Sequence, residues 1–390
     1  MAEQFTGSEN MRCPFLRVGY IVKVGIIGLP QTGKTTLFNT LTRGTAPVTR
    51  FSGSRNGANV GVIAVPDGRF DVLVNEYNPK KVSPASIEVI DGAAPIGVDR
   101  QEDFGTDFFT GIRSVDALIH VVRAFENPMI SDPLDPVGDV VKVNDELTLA
   151  DLQLTESRLE KLDKSLRNRK VPSGSPQLME KDLVLRIQSH LMEGKPLADL
   201  ELSADESKLI RSFDFLTLKP MLIVANTDES GSSDLLAGLR DYCRSEGLEL
   251  IELTASIEAE IAQLPKDEEK EYLAAMGIEY SARDRLVQSA YRALGLVSFF
   301  TVGEDEVRAW MINEGTRALD AAGKIHTDLA RGFIRAEVLA YEDSVRVGHW
   351  DAAKSSGLIR LEGKEYVVSD GDIISIRFKT TTPGINPWAR

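Results

Sequence analysis

The sequence predicts an α/β protein: helices on a mostly parallel sheet, a helical insertion, and a smaller α+β unit at the C-terminal end. Three observations carry this. Short β-branched runs alternate with helical stretches over much of the chain, the rhythm of βαβ units. Between about residues 139 and 215 that rhythm gives way to a charged, leucine-rich helical segment. Beyond Leu296 short strand-like runs predominate and helical patterning thins.

Residues 1–20 (MAEQFTGSENMRCPFLRVGY) lack a basic start followed by an apolar core, so they read as a tail and not as a secretory leader. Residues 21–28 (IVKVGIIG) are a β-branched run closing on glycine, as expected of a buried parallel strand. GLPQTGKT, from Gly28 to Thr35, then fits the phosphate-loop pattern G-x-x-x-x-G-K-[ST] at every fixed position. Thr35–Thr42 has helical character, with Leu37, Phe38 and Leu41 on one face. Strand, glycine loop and helix in that order are the context such a match requires.

Further strands are expected at Ser86–Ile90, Ala117–Val122, Met221–Ala225 and Leu248–Leu253. In the insertion, Leu152, Thr155, Leu159, Leu162 and Leu166 step by three and four residues, a coiled-coil seam. After the turn-forming VPSGSP (171–176), Val184, Ile187 and Leu191 repeat the step. An antiparallel hairpin follows; two amphipathic helices lying on the main domain are the alternative. Near the C-terminal end, strands are expected at Ser298–Val302, Val307–Met311, Arg335–Leu339, Tyr366–Val368 and Ile373–Phe378, with a helix around Thr316–Ala321. The expected domains are therefore a nucleotide-binding domain from 21–135 and 217–296, the helical insertion at 136–216, and a terminal domain at 297–380. Tails occupy 1–20 and 381–390.

At 390 residues the chain can bury a core in each domain. Apolar residues at 42% and charged ones at 27% are an ordinary soluble balance, and no apolar run reaches bilayer length, so no membrane partner is expected. A net charge of −14 speaks against nonspecific nucleic-acid binding over the whole surface. The acidity is uneven: from Val297 onward 12 Lys+Arg stand against 14 Asp+Glu. Two distant cysteines, Cys13 and Cys243, read as free thiols in a reducing compartment, which points to the cytoplasm. Four scattered histidines offer no metal-ligand spacing, and nothing demands more than a monomer.

In a phosphate loop the backbone N–H groups surround the β-phosphate, assisted by the positive end of the following helix. This assigns nucleotide binding to Gly28, Leu29, Pro30, Gln31, Thr32, Gly33, Lys34, Thr35 and Thr36. Lys34 would reach the β- and γ-phosphates as a catalytic point charge, and the Thr35 hydroxyl would ligate Mg2+. Asp91, closing IEVID, is the obvious candidate for the second metal residue, with a cap on the following turn as the alternative. Base choice falls to Asn226-Thr227-Asp228-Glu229, after the MLIVA strand. Guanine-specific phosphate-loop proteins read N-K-x-D there. Glu229 shifts the carboxylate by one methylene and Thr227 removes the flanking lysine, so a guanine contact is impaired. Ala255 and Ser256, after the next strand, place backbone amides where the base edge would lie.

Taken in order, these residues resemble the YchF family of Obg-like ATPases from about Ile21 to Lys379. The resemblance rests on GLPQTGKTTLFNTLT, the N-x-x-E tip, the hairpin before it and TASIEAEIAQL after it. It is most specific in VRAWMINEGTRALDAAGKIHTDLARGFIRAEVLAYED and LIRLEGKEYVVSDGDIISIRFK, which look like a TGS domain, a β-grasp fold. It implies a P-loop NTPase preferring ATP over GTP, dependence on Mg2+, and association with the ribosome or its RNA. It also implies that Asn226 and Glu229 contact the base, that Gly28 to Thr36 hold the phosphates, and that Asp91 holds the metal.

The departures concern the switches. Gln31 and Thr32 stand where the family usually has Asn and Val; an Asn there helps hold a monovalent cation in related proteins, so Gln31 bears on potassium as a cofactor. Arg55 aligns with the Thr of the first switch. Asp91-Gly92-Ala93-Ala94-Pro95 replaces D-x-A-G-L, so the catalytic contact to the γ-phosphate falls to the backbone N–H of Ala94. FENPMISDPLDP lacks the histidine many members carry. Three functions are compatible with this: a slow Mg2+-dependent ATPase whose nucleotide state tunes ribosome binding, a hydrolysis-deficient ATP-binding scaffold, and an Obg-type GTPase. In the terminal domain Lys324, His326, Arg331 and Arg335 read either as an RNA-contacting run or as a solvated face, and Trp310 reads as core.

Overall fold

A computed structural model describes residues 21–43, 49–50, 59–91, 111–127, 133–167, 172, 174–228, 233–275 and 280–379. The strands are β1 (Lys23–Ile27), β2 (Thr49–Arg50), β3 (Asn59–Ala64), β4 (Lys81–Ser83), β5 (Ser86–Asp91), β6 (Ala117–Ala124), β7 (Met221–Thr227) and β8 (Glu249–Leu253), then β9 (Leu296–Thr301), β10 (Glu306–Asn313), β11 (Phe333–Leu339), β12 (Arg360–Glu362) and β13 (Ile373–Phe378). The helices that accompany them include α1 (Lys34–Thr42), α2 (Gly68–Tyr77), α3 (Pro136–Leu166), α4 (Pro176–Met192), α5 (Ser233–Ser245), α6 (Ala255–Ile261), α7 (Ala282–Ala293) and α8 (Ala318–Ile325). Two compact units result, 23–62 with 88–286 and 63–87 with the residues from 287 onward.

In the first unit seven strands order as β2-β3-β5-β1-β6-β7-β8. β1 pairs in parallel with β5 and β6, β6 with β7, and β7 with β8. Every residue of β6 is buried, as a central parallel strand covered on both faces requires. All five strands expected here form.

The insertion is a helical hairpin. α3 starts where Asp135 caps it by accepting from the Gly138 N–H and where Pro136 needs no donor. Its first half buries Val140, Val143 and Leu147 against the sheet side of the unit. Its second half pairs with α4, burying Thr155 and Leu162 on one side and Val184, Ile187 and Leu191 on the other. Arg158 bonds Glu180 at 2.6 Å and Lys181 bonds Asp163 at 2.7 Å across the pair. A clamp closes the root. Wholly buried Asp151 accepts from Arg113 Nη1 and from the N–H and hydroxyl of Thr217, each at 2.9 Å. Arg113 Nη2 also donates to the Ala150 carbonyl at 2.9 Å. Among the described residues no helix is long and apolar enough to cross a membrane.

The second unit has a six-stranded mixed sheet ordered β12-β11-β13-β9-β10-β4. α8 and the short helix Thr327–Arg331 pack Ala318, Ala321, Ala322 and Leu329 against Phe299, Val338, Ile374 and Ile376. Two expectations need correction. Tyr366–Val368 is no strand; Val367 makes only an isolated bridge to Arg317. Residues 63–87, expected in the nucleotide domain, group instead with the C-terminal residues. The reason is physical: β4 joins β10 in parallel, Lys81 opposite Glu306, and Phe70 of α2 stacks on Phe300 at 6.2 Å. Trp310 lies half-buried on Phe299, its indole N–H bonded to the Thr301 hydroxyl, which agrees with a core role.

Candidate functional site

The turn from β1 into α1 is shaped by its glycines. Gly28 has φ 145° and Gly33 φ 96°, angles that L side chains rarely adopt. Space forbids a side chain as well: a Cβ on Gly28 would lie 2.4 Å from the Val121 carbonyl oxygen, and one on Gly33 would lie 2.3 Å from Asn226 Nδ2. Lys34, the first residue of α1, folds back over the loop and donates to the carbonyls of Gly28 (3.0 Å) and Leu29 (2.7 Å). An ammonium carries three N–H bonds, so one remains for a ligand above the loop. Burial pulls Lys34 down to about 8, against the opposing pull of the Asp91 charge.

The Thr35 hydroxyl donates to Asp91 Oδ2 at 3.2 Å. A hydroxyl and a carboxylate side by side at the N-terminus of α1 are a hard-oxygen donor set that suits Mg2+. β5 delivers Asp91 to this place because its register sets Asp91 opposite Ile26, at the end of β1.

Asn226 forms the other wall. Its Nδ2 donates to the Thr32 carbonyl and its Oδ1 accepts from the Ala255 N–H, both at 3.0 Å. The side chain thus ties the phosphate loop, β7 and α6 together, with one amide N–H still uncommitted to these two bonds. Thr227 turns its hydroxyl to that of Thr254 at 2.9 Å. The expected residues Gly28 to Thr36, Asp91, Asn226, Ala255 and Ser256 therefore all lie on described elements, and the bonds above draw Thr32, Lys34, Thr35, Asp91, Asn226 and Ala255 together. Glu229, Ala94 and Arg55 lie outside the described residues.

Two neighbours escaped the sequence reading. Asn127 Nδ2 donates to Gln31 Oε1 at 3.4 Å, while Gln31 itself sits at φ 60°. Nothing local in FENP marks that contact. His120 sits mid-β6, opposite Ile27, wholly buried, with neither ring nitrogen hydrogen-bonded. Burial, with the Lys34 charge adding to it, pushes its imidazole down to about 3. Its place inside an apolar run was the available signal. In the terminal unit two members of the expected basic run meet one residue: His326 Nδ1 accepts from the Asp328 N–H, and Arg331 lies 3.5 Å from Asp328 Oδ1.

Residues 23–164 match a family model described as a 50S ribosome-binding GTPase, and residues 296–379 match the YchF C-terminal model, described as a protein of unknown function. The chain is 40% identical to the ribosome-binding ATPase YchF of Bacillus subtilis (strain 168), over 91% of this chain and 98% of that one. It is 35% identical to Obg-like ATPase 1 of Oryza sativa subsp. japonica, over 93% of each. The solved structure of the Schizosaccharomyces pombe YchF GTPase superposes with a TM-score of 0.81 at 30% identity, covering 93% of this chain and 99% of that one. With the phosphate loop, the hairpin and the terminal sheet each in the expected order along the chain, it belongs to the YchF family.

Proposed function

We propose that this protein binds ATP with Mg2+ at the phosphate loop, hydrolyses it slowly, and associates with the ribosome according to its nucleotide state. The observation that carries the reading is the Asn226 tie: the residue that would meet the base is bonded to the loop that would hold the phosphates. Gly28 to Thr36 hold the phosphates, Thr35 and Asp91 hold the metal, and Asn226, Glu229, Ala255 and Ser256 meet the base. Bound Mg2+ would neutralise charge on the phosphates. Lys34 would supply the third N–H of its ammonium to the same charge, and the backbone of Ala94 would position water. ATP is favoured over GTP because Thr227 and Glu229 stand where a guanine reader has Lys and Asp. The ribosomal partner follows from what the relatives are named for, and a place in the cytoplasm follows from that partner; a monomer is the reading because nothing in the sequence demands more.

The test is phosphate release from ATP and from GTP, with and without potassium, beside Lys34→Ala, with nucleotide affinity measured on the same samples. Release above the control, faster with ATP, is expected; co-sedimentation with ribosomes should differ between ATP and ADP. The sequence Asp91-Gly92-Ala93-Ala94-Pro95 favours one second reading, a scaffold that holds ATP uncleaved. Tight ATP binding with release no greater than in Lys34→Ala would establish that reading instead.

A further inference from the structure

The phosphate loop and the root of the helical hairpin share one hydrophobic cluster. Leu29, whose carbonyl accepts from Lys34, packs partly buried against a group that includes Ile27, Ile90, Ile112, Leu147 and Ala150. Leu147 and Ala150 belong to α3, and Ala150 is the residue whose carbonyl Arg113 holds beside the Asp151 clamp. Contact is therefore continuous from the Lys34 ammonium to the point where the hairpin leaves the sheet. Such a chain of packed groups can carry coupling without a change of fold.

We propose that a nucleotide in the phosphate loop stiffens the hairpin root through Lys34 and Leu29, so that a diphosphate suffices and the γ-phosphate is not needed. This rests on reading the loop as a nucleotide site. A phosphate held by the third N–H of Lys34 fixes the ammonium. The two bonds to Gly28 and Leu29 then fix the loop backbone, and Leu29 fixes the cluster it enters. The lysine of a phosphate loop reaches the β-phosphate as well as the γ, so ADP and ATP act alike on the root. By linkage, loosening the root weakens nucleotide binding by the same factor.

The experiment is amide hydrogen exchange on the full chain with Mg2+ alone, with Mg2+ and ADP, and with Mg2+ and a non-hydrolysable ATP analogue, each saturation confirmed by calorimetry. Amides of α3 from Val143 to Asp151 should exchange about fivefold more slowly with either nucleotide. Leu147→Ala should remove that response and weaken ADP binding about fivefold. Ile112→Val, a gentler loss in the same cluster, should shift both in the same direction by less, and it decides the matter where Leu147→Ala does not fold. Saturating nucleotide with unchanged exchange at the root overturns the proposal, as does a response to the ATP analogue alone. Calorimetry showing no binding of either nucleotide overturns the nucleotide-site reading, and this coupling with it.

Discussion

Asn226 leaves little room for substitution, because each end of its amide satisfies a backbone group that would otherwise be orphaned. Asn226→Ala strands the Thr32 carbonyl and the Ala255 N–H, and should cost about 2–4 kcal/mol in urea unfolding. Asn226→Asp restores an acceptor for Ala255 but sets a carboxylate against the Thr32 carbonyl, so it should recover little ATP affinity by calorimetry. His120 makes a prediction about acid. Its imidazole is pushed from the ordinary 6.5 to about 3, chiefly by burial. On acidification the unfolded chain therefore takes the proton first. The stability tied to the neutral ring is whole above about pH 6.5 and drains as pH falls toward 3. Between pH 7 and pH 5 the loss should be about 2 kcal/mol by urea unfolding. In His120→Phe that share of the acid sensitivity should disappear; an identical pH slope in both proteins would show that His120 is not its source.

Among elements, the hairpin depends on an ion pair that its seam does not reveal. Arg113→Met leaves the Asp151 carboxylate buried without its counter-charge, and should lower stability by about 3–5 kcal/mol in denaturant unfolding. A loss under about 1 kcal/mol would mean that water reaches the pair. The seam itself was legible: the three–four spacing at Leu152 to Leu166 and Val184 to Leu191 reports which faces meet, since both helices and their turn are adjacent in sequence. The phosphate loop was legible for a similar reason, with all its fixed residues within one strand–turn–helix. Arg113 and Asp151 were not, because a lone charged pair far apart in sequence leaves no periodic trace. Residues 63–87 were misplaced for a related reason. The apolar positions of α2, Phe70 and Leu73, announce a buried face but not which sheet that face will meet.

At the scale of the whole molecule, from Lys23 onward the chain passes between its two units after residues 62, 87 and 286. The terminal sheet is therefore incomplete without a segment made much earlier. A fragment of residues 287–379 should lack β4 on β10 and α2 on Phe300, and should aggregate or remain partly unfolded by circular dichroism. Adding a peptide of residues 63–87 should restore a cooperative melt; a fragment that melts cooperatively without it would show those contacts to be dispensable. The same connectivity bears on how the protein is born. Lys81 must wait for Glu306, roughly 220 residues further along, before its strand finds a partner. At about 5–20 residues per second of synthesis, α2 and β4 stay exposed for roughly ten to forty-five seconds after they emerge. During that interval an unpaired strand edge and a bare aromatic face are open to chaperones or to neighbouring nascent chains, a hazard absent from a protein whose domains close in the order they are made.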